Sequence, residues 1–193
     1  MRIGSLLLTL LAGTFVFAAM PALAADYSLE LKKENTKVQF TLTDPLHTVH
    51  GSFGLRSGNI SFNTDTGKAS GQVVVDVASG NSGSDARDSR MHANVLESKK
   101  YPDATFVPDR LDGQVAVQGN STVKVHGTFT IHGAPHELTM DVQTAGSGDQ
   151  LHATMTFDLP YVAWGMKDPS NFILKVGKVV QMSIDTTGTL QKR

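Results

Sequence analysis

Seven histidines and a Gly80-Asn81-Ser82-Gly83-Ser84 run are the features of this chain whose types and spacing point toward chemistry. His47 and His50 form H-x-x-H, and His132 and His136 flank Gly133-Ala134-Pro135. Imidazole pairs at such spacings suit zinc or copper. Parity along the surrounding strands opposes both pairs. His50 falls on the polar face of its strand and His47 on the inward one; His132 points outward, while His136 is in register with inward Leu138. Side chains on opposite faces of a strand do not chelate one ion. The expectation is therefore no metal ligand, with a twisted hairpin site at His132 and His136 as the alternative. His126 and His152 have outward parity and read as solvated surface. The zinc-protease motif H-E-x-x-H is absent.

Nucleophilic chemistry fares no better. G-x-S-x-G requires glycine where Ser84 stands. No Gly-rich loop suits a phosphate, and no carboxylate pair is placed for acid–base work. Cysteine is absent, which excludes disulfides, a thiol nucleophile and a lipidated N-terminal cysteine. The expectation is no catalytic residue and no cofactor. Asp88 and His92, four residues apart on a predicted helix, read as a structural ion pair.

Strands must position nearly everything. Val123-Lys-Val-His-Gly-Thr-Phe-Thr-Ile-His132 alternates apolar Val123, Val125, Phe129 and Ile131 with polar Lys124, His126, Thr128, Thr130 and His132. The same period of two gives Val38/Phe40/Leu42, Val49/Phe53/Leu55, Ile60/Phe62, Val73/Val75/Val77, Leu138/Met140/Val142, Leu151/Met155/Phe157 and Val180/Met182/Ile184. Turn signals separate these runs at Arg56-Ser57-Gly58, Asp65-Thr66-Gly67, Gly133-Ala134-Pro135 and Gly146-Ser147-Gly148. The pattern predicts an all-β antiparallel barrel or sandwich. One helix interrupts it, starting at Ser82 or Ser84. Either serine can cap the free N–H groups, with Asp85 and Asp88 suiting the positive end. Met91, Val95 and Leu96 form its apolar stripe, placed across one barrel mouth.

Spacing leaves one question open. An eight-stranded barrel is wide enough either to be filled by its own side chains or to hold one small ligand. Gly51 and Gly127 have inward parity, which either frees volume or relieves curvature.

Residues 1–24 read as a signal peptide: Arg2, an apolar run from Ile3 to Ala19, and Ala22-Leu23-Ala24 as the small-x-small cleavage signature. Residues 25–193 form one domain, expected in the periplasm or exterior, without a stable membrane span after cleavage. Losing Arg2 from 17 Lys and Arg against 18 Asp and Glu leaves the domain mildly acidic. With no basic patch, nucleic acid is not an expected partner. A homodimer is left open.

Across the whole mature chain, ordered segments resemble the YceI-like family of lipid-binding, lipocalin-like proteins. They are HTVHGSF at 47–53, GNISF at 58–62, Val75-Asp76-Val77-Ala78-Ser79, Arg87-Asp88, Lys100-Tyr101-Pro102 with Thr105-Phe106, and GTFTIHG at 127–133. Two segments depart from the family pattern. Ala104 stands where a β-branched residue is usual, and Pro160 to Met166 replaces the commoner Arg-x-x-Phe-Gly. The resemblance implies an extended lipocalin-like antiparallel β-barrel of about eight strands with one inserted helix near a mouth. It also implies an interior that takes an isoprenoid, quinone-like or other long amphiphilic lipid, with no catalytic residue. Combined with parity, it places Phe40, Phe53, Val75, Val77, Met91, Val95, Phe106, Phe129, Ile131, Phe157 and Trp164 in the ligand wall; for Trp164, plugging the core is the rival role. The expected function is carriage or sequestration, with a stress-related purpose open. A filled barrel serving as a stress or protein-interaction module, and an enzyme on isoprenoid-like substrates, are the rivals.

Overall fold

The computed structural model describes residues 25–44, 47–172 and 175–193, so the predicted signal peptide lies outside the described residues. Eight strands follow in order: β1 (Asp26–Thr43), β2 (Thr48–Asn63), β3 (Ala69–Asn81), β4 (Asp103–Asp112), β5 (Gly119–Ile131), β6 (Ala134–Ser147), β7 (Gln150–Leu159) and β8 (Val180–Lys192). Each pairs antiparallel with its sequence neighbours, and β8 returns to β1, closing an up-and-down barrel. Closure removes the exposed strand edges that an open sheet would have to protect. Among the described residues, no helix is long and apolar enough to cross a membrane.

In this topology the β1–β2, β3–β4, β5–β6 and β7–β8 connections gather at one end of the barrel. The β3–β4 connection carries helix α1 (Asp85–Arg90), which runs into one π-helical turn, Met91–Val95, closed by Leu96 N–H donating to Met91 O. The β5–β6 hairpin turns on two residues, His132 and Gly133, both with positive φ (53° and 77°). This is the conformation whose twist matches that of the flanking strands.

The interior is divided lengthwise. Away from the helix it is packed solid by Leu29, Phe62, Leu111, Val123, Met140, Val142, Leu151 and Leu190. Toward the helix a second cluster, including Val38, Phe40, Val77, Phe129, Ile131, Leu159 and Met182, lines the barrel wall. Phe106, Leu138 and Phe157 pack against both clusters and mark the boundary.

Three expectations about local structure are corrected. Arg56-Ser57-Gly58 is no turn; it lies inside β2, where a register shift between Leu55 and Ser57 absorbs an extra residue as a bulge. Pro135 belongs to β6 and pairs with Thr130, so only His132 and Gly133 form the turn. Neither inward glycine opens volume. A Cβ on Gly51 would stand 2.3 Å from the Phe40 ring and 2.5 Å from Asn81 O. One on Gly127 would stand 2.3 Å from Val107 O and 2.7 Å from the Cα of Pro108. Both glycines admit a neighbour that already fills the space.

Candidate functional site

A cavity of about 850 Å3 occupies the helix half of the barrel. Its walls are inward positions of β1, β2, β3, β4, β5, β7 and β8, and α1 with its π turn crosses the opening. Nine of the eleven residues assigned to the wall from sequence line it: Phe40, Phe53, Val75, Val77, Met91, Val95, Phe129, Ile131 and Phe157. Period-two parity placed the barrel residues, and the i, i+4 stripe placed Met91 and Val95.

The other two are elsewhere. Phe106 packs at the boundary between the solid and hollow halves. Trp164 takes the plugging role. The β6–β7 ladder runs only from Ser147–Gln150 to Val142–Met155, so the strands part toward the open end. The turn after β7 lays the Trp164 indole flat on the His136 ring of β6, 4.1 Å between centroids and 6° between planes. The indole also lies 5.9 Å from the Phe129 ring. Trp164 thereby joins two strands where their hydrogen bonds have ended.

Sequence reasoning missed Ala104, Tyr161 and Met166. Ala104 faces the cavity opposite Val75, and it was noted only as a departure from the family pattern. Tyr161 and Met166 come from the long β7–β8 connection, where no period exists to read. Both are buried. The Tyr161 hydroxyl donates to Gly177 O at 2.8 Å, tying one end of that connection to the other. Burial, with the Asp168 charge second, pushes this phenol up to about 12 from an ordinary 10.0. Because the folded state holds the proton more tightly than the unfolded chain, stability is unaffected by this group below pH 10 and falls as pH rises from 10 toward 12. Tyr161→Phe should therefore show a shallower loss of stability over that window than wild type in pH-resolved urea titrations. Parallel curves would contradict it.

The helix is anchored differently from expectation. Ser84 is the N-cap residue, but its side chain makes no capping bond. Ser82 is the organising group. Its N–H (2.9 Å) and hydroxyl donate to Asp88 Oδ1, while Arg87 donates from Nε to Ser82 Oγ and from Nη2 to Ser82 O, both at 2.7 Å. Asp88 is thus occupied, and the predicted Asp88–His92 pair does not form. His92 instead donates from Nε2 to Gly80 O at 2.9 Å, and its Nδ1 lies 3.1 Å from Ser98 Oγ. Arg87-Asp88, one of the signature segments, fixes the helix over the mouth.

The histidine pairs are held apart. His47 reaches the cavity rim, whereas His50 Nδ1 lies 3.1 Å from Thr41 Oγ1. His132 Nε2 lies 2.7 Å from Glu97 Oε2 with its ring against Tyr101, while His136 is stacked under Trp164. His126 and His152 are not merely solvated. His152 Nε2 meets Asp185 at 3.0 Å. His126 stands between Asp109 (Nδ1, 2.8 Å) and Glu137 (Nε2, 3.2 Å). That trio is the one grouping among the described residues with donor atoms close enough for a metal, all within 4.8 Å. Each ring nitrogen points to a different carboxylate. The geometry is that of an imidazole ring held between two carboxylates on the outer wall.

A family-wide sequence profile described as the YceI-like domain matches residues 29–188. Curated relatives include a UPF0312 protein of Pseudomonas putida strain F1, 27% identical over 93% of this chain and 94% of its own length. Another, from Vibrio parahaemolyticus, is 28% identical over 71% of this chain and 73% of that protein. Among solved structures, Burkholderia cenocepacia BcnA superposes with TM-score 0.69 at 20% identity, covering 82% of this chain and 99% of its own. A polyisoprenoid binding domain from Saccharophagus degradans, implicated in plant cell wall breakdown, gives the same TM-score at 21% identity over 86% of this chain and 98% of its own. At these identities the structural likenesses establish the shared barrel.

Proposed function

This chain belongs to the YceI-like domain family, and from that premise we propose that it binds the apolar tail of a long isoprenoid-type or other amphiphilic lipid, as an exported carrier or sequestering protein. The observation that supports this most is the cavity of about 850 Å3, walled by apolar side chains at inward strand positions. Its size falls within the range of small-molecule sites. A tail buried at roughly 25 cal/mol per Å2 of apolar area binds without many polar contacts. The name of the Saccharophagus degradans fold neighbour supports the same ligand class. The hollow half of the interior disfavours the filled-barrel alternative. The reading assigns no catalytic residue; the His and carboxylate groups named above are committed to structural partners outside the cavity, apart from His47 and the rim charges.

Export rests on Arg2, the apolar run and Ala22-Leu23-Ala24. Native mass spectrometry of protein purified from an exporting host tests both parts. The expected result is a polypeptide starting at Ala25 that carries a stoichiometric lipid, released by solvent extraction. Retention of residues 1–24 would refute export, and protein empty of lipid would refute carriage.

A further inference from the structure

We infer that the amphiphile held in this cavity carries an anionic headgroup. The inference rests on the lipid-binding reading and adds the chemistry of the head to that of the tail. Below the opening the wall is apolar; charge is confined to the rim. Three cations line the cavity there: Arg87 and Arg90 from α1, and Lys167 from the β7–β8 connection. Among the described residues, none of the three has a carboxylate within ion-pair distance.

The two acids that line the same opening are occupied. Asp168 accepts the Ser170 N–H at 2.9 Å and has Lys178 at 3.7 Å. Hydrogen bonds from Ser170, with the Lys178 charge adding, hold its carboxyl below the usual carboxylate range. Asp44 accepts the His47 N–H at 2.7 Å. The cations therefore outnumber the acids at the rim of a chain whose overall formal charge is −1.

Arg87 is pre-positioned by its two bonds to Ser82, which leave part of its guanidinium edge unused. Arg90 and Lys167 come to the opening from separate elements, α1 and the β7–β8 connection. Guanidinium and ammonium groups around one mouth favour phosphate or carboxylate oxygens, which accept charge-assisted hydrogen bonds. A neutral quinone or alcohol head leaves that charge unanswered. Phosphate and carboxylate share the required chemistry, and the experiment separates them.

Binding is measured for two pairs with matched tails: geranylgeranyl phosphate against geranylgeraniol, and palmitate against hexadecanol. The expected result is that the charged member binds about tenfold more tightly or better in at least one pair. A preference in the phosphate pair alone assigns phosphate; one in the palmitate pair alone assigns carboxylate. The preference should shrink as salt is raised, because the rim is open to solvent. It should also shrink in the Arg90→Gln/Lys167→Gln double variant, in which both positions are exposed and the fold is checked by circular dichroism. Equal binding within both pairs would overturn the headgroup inference while leaving lipid binding standing. So would a preference that persists in both high salt and the double variant. Failure of all four compounds to bind would instead overturn the lipid reading, and the headgroup inference with it.

Discussion

Ala104→Phe should leave the barrel folded and its lipid lost. Ala104 is a small side chain on the cavity wall, directly across the β3–β4 pair from Val75. A phenyl ring there projects into empty space and occupies volume the tail would need. Displacing even about 100 Å2 of buried apolar tail, at roughly 25 cal/mol per Å2, costs about 2.5 kcal/mol, close to a hundredfold in affinity. Stability should change little in the lipid-free protein, because the ring fills a void in place of crowding a packed site. Val77→Phe on β3 makes the same test from a second strand. Both variants are compared with wild type by co-purified lipid content and by urea denaturation after delipidation. Wild-type amounts of lipid in either folded variant would show that the tail does not lie against this wall.

The second large effect concerns folding. Gly127→Ala should destabilise the lipid-free barrel by about 3 kcal/mol, at the upper end of what overpacking costs. That is a large share of the 5–15 kcal/mol typical of a single domain. The added Cβ would meet Val107 O at 2.3 Å, Pro108 Cα at 2.7 Å and Phe106 Cζ at 2.9 Å. Two of these three are backbone, held where β4 shifts register between Pro108 and Arg110, and Pro108 is wholly buried. Such atoms move only if the ladder moves. Gly54→Ala is the matched control. Its Cβ would meet Ser79 Oγ at 3.3 Å and Lys33 Cε at 3.5 Å, both side-chain atoms and both well beyond the distances found at Gly127. The urea midpoint should fall sharply for Gly127→Ala and slightly for Gly54→Ala, with unchanged slopes. Equal midpoints for the two would show that the β4–β5 contact yields more easily than its geometry implies.

Much of this molecule was legible before any coordinates because the strand period is local. Whether Phe129 and Ile131 share a face is decided by the two peptide units between them, and Thr130 is sent the other way by the same rule. The helix stripe of Met91 and Val95 is local in the same sense. Those periods determined the all-β class, the inserted helix and nine of the cavity-lining positions, and the order of the signature segments pointed to the family. They also separated His47 from His50 and His132 from His136.

What the chain alone did not determine involves groups distant in sequence. Gly58 sits within a turn-like tripeptide, yet pairing with β1 and β3 carries β2 straight through it. Asp88 and His92 have ideal helical spacing, but Ser82 on one side and Gly80 and Ser98 on the other bind them first. His126 looked solvated until β4 brought Asp109 and β6 brought Glu137 to its two nitrogens. Trp164 had two roles of equal standing, and the parting of β6 from β7 selected one of them. The division of the barrel into a solid and a hollow half belongs to no single strand. Interior volume depends on the tilt and register of all eight strands together and on which rings meet across the axis. Inward parity says that a side chain faces the middle; only the closed barrel decides whether another side chain is already there.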